Sequence, residues 1–105
     1  MVNALEEKKG ENILLLDIHE LANFADYFVL CSGTSERMLE ALADAVCESA
    51  KQHFSLIPHQ EGYASAGWVV VDLGDVVVHL FSPERRNYYR LEDLWSQAKV
   101  LVRLQ

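Results

Sequence analysis

The sequence predicts an α/β (α+β) fold, a mixed sheet of about five strands with helices packed on it. Three observations carry that expectation. Apolar runs of strand length stand at residues 13–18, 26–33 and 68–81, a strongly periodic helical stretch separates the second from the third, and the third reads as a hairpin. At 105 residues the chain suits one compact domain spanning 1–105.

The elements follow in order. Residues 1–9 are compatible with a helix that ends at Lys8-Lys9-Gly10, where glycine suits a helix stop. ILLLDI (13–18) reads as a buried strand, HELANFA as irregular chain or a single helical turn, and DYFVLCSG as a second strand ended by Gly33. Thr34 or Ser35 is placed to cap the next helix by accepting from its free N–H groups. From Glu36 to His53, Met38, Leu39, Leu42, Val46, Cys47 and Ala50 recur at helical spacing, while Glu36, Glu40, Asp44, Glu48 and Lys51 fall towards the other side.

SLIP (55–58) is expected as a short edge strand, because Pro58 cannot donate to a ladder, and HQEGYASAG as a polar loop. After the hairpin, Ser82 suits a cap, Pro83 the first helical position and Glu84 the positive helix end. The tail SQAKVLVRLQ is expected to extend as helix.

WVVVDLGDVVVHLF (68–81) poses a packing question. A hairpin with one wet face alternates apolar and polar residues, yet here valine stands on both sides, interrupted by Asp72, Asp75 and His79. Both faces must therefore be covered, which makes these strands central. Gly74 suits a left-handed backbone and Leu73 resists one, favouring a three-residue loop over a two-residue type I′ turn. The first opposes Val71 to Asp75, the second Asp72 to Asp75; the two exchange which residues share a face with Trp68, and the register stays open.

The net charge of −7, from 9 Lys+Arg against 16 Asp+Glu, opposes general affinity for phosphate backbones and suits a basic protein partner. Cys31 and Cys47 form no CxxC and no metal-ligand cluster with His19, His53, His59 and His79, and read as reduced structural thiols. The N-terminus lacks a signal-type apolar core and the apolar runs are too short to span a bilayer, so a cytoplasmic setting is expected.

Several residues carry chemistry in principle. SGTS (32–35), between strand and helix, is a weak phosphate-loop pattern and fits a capped turn better. Asp72 and Asp75 bracket the hairpin turn, where aspartates bond to their own backbone; a Mg²⁺ role lacks neighbouring basic residues. Trp68 is balanced between packing and an interface role. Tyr88, Tyr89 and Trp95 among Arg85, Arg86 and Arg90 suit either a partner patch or a docked helix. His79 reads as structural. No nucleophile–base spacing supports triad chemistry, so no catalytic residue, metal or cofactor is expected.

The ordered segments DYFVLCSGTS (26–35), Glu61-Gly62, WVVVDLGDVVVHLF (68–81) and ERRNYYRLEDLW (84–95) resemble the Iojap family of ribosomal silencing factors, RsfS. The resemblance spans roughly residues 13–95. It implies a nucleotidyltransferase-like fold without established transferase activity. It also implies a partner, ribosomal protein L-fourteen of the large ribosomal subunit, and a steric block to subunit joining that represses translation when nutrients are short. Apart from the resemblance, the acidic balance predicts little direct RNA contact and the short apolar runs no membrane, and a homodimer of the free protein through the same exposed surface stands as a third reading. On the ribosome-binding reading Trp68 is the apolar anchor, Asp72, Asp75 and Glu84 offer carboxylates to basic groups, and Tyr89 adds contact area. The alternative is a nucleotide-binding enzyme of the nucleotidyltransferase-like class.

Overall fold

Six strands form one sheet in the order β3-β4-β5-β2-β1-β6 in the computed structural model, which describes residues 2–21, 23, 25–55, 57–89 and 97–104. In chain order the elements are α1 (Val2–Glu7), β1 (Glu11–Asp17), β2 (Tyr27–Ser32), α2 (Glu36–Phe54), β3 (His59–Tyr63), a 3-10 turn (Ala64–Ala66), β4 (Trp68–Asp72), β5 (Val76–Phe81), α3 (Pro83–Tyr89) and β6 (Lys99–Leu104). Strands β2 and β5 run parallel; the other neighbouring pairs run antiparallel. The mixed α+β class is as expected, with one strand more than the five foreseen.

The valines on both sides of the hairpin are explained by the sheet's two faces. Successive side chains of a strand point to opposite faces. One face, with Ile13, Val29, Cys31, Val69, Val71, Val78 and Leu80, packs under α1 and α2 through Leu5, Leu39, Leu42 and Val46. Each of these helix side chains contributes about 1.5–3 kcal/mol by burial, which outweighs any helix-propensity difference at its position. Helix α2 begins at the expected cap: Ser35 Oγ accepts from Met38 N at 3.1 Å. The other face gathers Leu14, Leu16, Phe28, Leu30, Val77 and Phe81, with Ile18 and Ala25 packed among them. It thins towards β4, where Trp68 and Val70 stay half-buried.

Helix α3 is fastened to the sheet by the buried Arg86. Its Nη1 donates to Asn12 O at 2.6 Å and to Ser32 Oγ at 2.9 Å. Ser82 caps the helix as foreseen, accepting from Arg85 N at 3.3 Å. Ser82 N also donates to Gly67 O at 2.9 Å, which sets the start of α3 beside the start of β4.

Three expectations are corrected. First, residues 55–58 form no strand among those described, and the strand lies one step later, in HQEGY, where a polar loop was expected. All five residues of β3 are exposed because this edge strand pairs only with β4, so burial leaves no mark on its composition. Second, the tail is strand β6 instead of helix; β-branched Val100 and Val102 suit the pleat, and pairing with β1 decides the matter. Third, the hairpin adopts neither loop weighed above. Asp72 pairs with Val77, and Leu73 N donates to Val76 O at 2.9 Å, leaving Gly74 and Asp75 as the two central residues. Gly74 takes φ +93° while neither Leu73 nor Asp75 has a positive φ, the pattern of a type II′ turn, and Leu73 is buried. Trp68, Val70 and Asp72 therefore share a face with Val77, His79 and Phe81.

Gly62 is the one residue of β3 with a left-handed backbone. Its φ is +83°, and an added Cβ would stand 2.4 Å from Trp68 O, so a side chain there meets both strain and backbone. Gly62→Ala is expected to cost about 2 kcal/mol or more in urea denaturation. An unchanged midpoint would mean that β3 relaxes away from β4 without consequence.

Candidate functional site

The half-buried end of the second face forms a surface notch around Trp68, the residue the sequence singles out as an anchor. Glu61, Gly62, Tyr63, Ala66, Trp68, Val70 and Arg85 line a notch of about 390 Å³. Tyr63 is 75 % exposed, a large ring left in water at a sheet edge. The notch draws on β3, the 3-10 turn, β4 and the first turn of α3, held together by β3–β4 pairing and the Ser82–Gly67 bond.

The Trp68 indole is positioned from below. It stacks on Phe81, its direct cross-strand partner, with ring centroids 5.1 Å apart and 28° between planes. Its Nε1–H donates to Nδ1 of His79 at 3.4 Å. His79 is enclosed by Phe28, whose ring meets it edge-on at 4.8 Å, and by Phe81 at 6.0 Å. Burial pushes the imidazole down to about 4, so His79 is neutral at pH 7. Because Nδ1 accepts, the proton resides on Nε2, which is fully enclosed and has no acceptor among the described residues.

The other expected site residues are spread out. Glu84 stands exposed on the first turn of α3, next to Arg85 of the notch. Asp72 and Asp75 lie exposed at the far end of the hairpin, about 13 Å along the strand from Trp68. Asp72 Oδ1 accepts from Gly74 N at 2.8 Å, the turn-stabilising role weighed from sequence. The Asp75 carbonyl accepts from Asp26 N and Tyr27 N, joining the turn to the start of β2. Tyr89 ends α3. Its side chain lies outside what the structure describes, as do those of Phe54 and Tyr88 and residues 90–96 with Trp95.

SGTS is occupied by its own fold. Ser35 caps α2, and Thr34 N and Oγ both approach Met38 Sδ, at 3.4 and 3.5 Å. Arg86 and Arg103 border a separate cleft of about 350 Å³ with Asn12, Ser32 and Asn87. Cys31 and Cys47 are free thiols, and burial pushes Cys31 up to about 12. Among the described residues no three His, Cys, Asp or Glu side chains converge on a metal position, and no helix is long and apolar enough to cross a membrane.

Sequence reading found Trp68 but not Tyr63, Val70, Ala66 or Arg85 as its neighbours. An aromatic residue in a polar stretch was the available signal for Tyr63; Arg85 had none separating it from Arg86.

Fold and rim together define a class: an α+β domain with a mixed six-stranded sheet that presents a half-buried tryptophan beside an exposed edge strand. A family model described as "Ribosomal silencing factor during starvation" (RsfS) matches residues 1–105. The RsfS of Halalkalibacterium halodurans is 42% identical over 97 residues, covering 92% of this chain and 83% of that protein. The RsfS of Bacillus subtilis is 42% identical over 95 residues, covering 90% and 80%. Protein CV0518 of Chromobacterium violaceum, known from its crystal structure, superposes with a TM-score of 0.86 at 38% identity, covering 90% of this chain and 79% of that one. Proteins named Iojap match as well. The chain belongs to the ribosomal silencing factor (RsfS) family. Its role is that of a translation-regulating, ribosome-associated factor, and the family names describe regulators rather than enzymes.

Proposed function

We propose that this protein binds the large ribosomal subunit through ribosomal protein L-fourteen and represses translation by occupying volume that the small subunit needs. The observation that carries the reading is the Trp68 notch: an aromatic side chain half-buried on its own sheet, flanked by exposed Tyr63 and open at the surface. Buried aromatic anchors surrounded by polar rims dominate protein–protein affinity. The charge of −7 favours a basic partner and speeds encounter. Glu84 and Glu61 lie near enough to serve the rim, whereas Asp72 and Asp75 act at longer range. Such a factor works by occupancy, in the cytoplasm, and needs no turnover.

The test is co-sedimentation with purified large subunits, with and without small subunits. Pelleting with the large subunit, and loss of joined ribosomes as protein is added, is the expected result. Large subunits depleted of L-fourteen should fail to retain the protein. Retention by the depleted particles would overturn the choice of partner.

A further inference from the structure

A buried histidine in a valine strand needs a reason. Leucine or phenylalanine at position 79 would fill the same site without an enclosed N–H that lacks an acceptor, and leaving such a donor unpaired is unfavourable. Polar groups kept in a core against that cost mark positions where something other than stability is served. Among the described residues, the one hydrogen bond of the His79 ring is that which Nδ1 accepts from the Trp68 indole.

The indole is the one large side chain of the notch that spans core and surface. One face of it lies on Phe81, which fixes how deep the ring sits. The His79 acceptor adds a directional contact that holds the Nε1 edge inward, with the two ring centroids 6.1 Å apart. Trp68 lines the notch together with Tyr63 and Val70. Holding a side chain before contact lowers the ordering cost of binding.

We propose that His79 is a positioning residue: it holds the Trp68 indole in its docking orientation from beneath the sheet surface, without itself touching the partner. This rests on the reading of Trp68 as the docking anchor. It assigns His79 to the binding function and not to the core, where its strand pattern alone would put it.

The experiment compares wild type, His79→Leu, Trp68→Phe and the double variant. Two measurements are made on each: the indole Nε1–H signal by NMR on the free protein, and affinity for large ribosomal subunits. Trp68→Phe identifies the signal by deleting it. In His79→Leu the Trp68 indole proton is expected to shift and exchange faster with solvent while the melting temperature is kept or raised. Binding is expected to weaken roughly five- to tenfold, about the worth of one organised hydrogen bond. In the Trp68→Phe background, which has no indole N–H, His79→Leu should change binding by less than about twofold.

An indole signal unmoved by His79→Leu would overturn the proposal. So would a loss of binding as large in the Trp68→Phe background as in wild type, which would mark His79 as ordinary core. His79→Gln, which offers an acceptor again, should recover part of the lost affinity; failure to do so while the indole signal is restored also counts against the assignment. If Trp68→Ala binds the subunit as wild type does, the docking reading falls and this role with it. That case is recognised separately, because the indole signal reports the Trp68–His79 pair with no partner present.

Discussion

Replacing Trp68 with alanine is expected to lower affinity for the large ribosomal subunit by about 30-fold or more while the fold persists. That is the effect of truncating an interface anchor, about 2 kcal/mol or above. The substitution also removes packing on Phe81 and the donor to His79. Because the ring is only half-buried, the stability loss should be about 2 kcal/mol, short of the 3–5 expected for a wholly buried tryptophan. Circular dichroism and urea denaturation would establish that the variant is folded at the binding temperature. Asp75→Asn is the contrasting variant. Exposed at the turn, Asp75 should alter the salt dependence of association and change affinity only a few-fold. If Asp75→Asn weakened binding more than Trp68→Ala, the docking surface would have to move to the other end of the hairpin.

Stability is expected to fall by about 3 kcal/mol as pH is lowered from 6.5 towards 4, through His79 alone. The imidazole titrates near 6.5 in an unfolded chain and is pushed down to about 4 in the fold by burial. Between those values the unfolded state binds a proton that the folded state refuses. Stability must then rise with pH across the window, by about 1.4 kcal/mol per pH unit, and level off above it. Carboxylates titrate in the lower part of the same window, so the difference between two curves carries the effect. Urea midpoints of wild type and His79→Leu, measured at pH 7.5, 5.5 and 4.5, should diverge as pH falls, with the leucine variant the flatter. Parallel curves would mean that His79 is solvated or paired when charged.

The two faces of the sheet explain what could be read in advance and what could not. Helix α2 was legible because its apolar stripe repeats and Ser35 stands where a cap must stand. The hairpin was legible from its double-sided valines, since no other arrangement hides both sets. Its register was not, because Gly74 tolerates several turn positions, and the outcome, with Leu73 buried and Asp72 opposite Val77, depends on packing across the sheet. Edge strands β3 and β6 escaped notice for a shared reason: pairing on one side holds them, and their side chains are mostly exposed. Val100 and Val102 were the usable hint in β6.

The site divides similarly. Trp68 is conspicuous in any reading, but the notch around it is made by three segments that meet only after β3 has paired with β4 and α3 has bonded back to Gly67. His79 looked structural because its function lies in what it holds. The carboxylates were chosen for charge, and charge alone does not say which end of a hairpin they occupy.

Tyr27 pairs with Val76, so the one parallel ladder closes a loop that contains α2, β3 and β4. Ladders between distant segments form slowly, since the chain must be drawn together before any contact rewards it. The β4–β5 hairpin closes locally and on a far shorter timescale. Yet its outer face acquires Phe28, the ring that encloses His79, only when β2 arrives. Until that ladder has formed, the tryptophan has Phe81 beneath it, but the His79 ring that accepts from its Nε1–H is not yet enclosed. The support under the docking surface is complete only when β2 has joined β5.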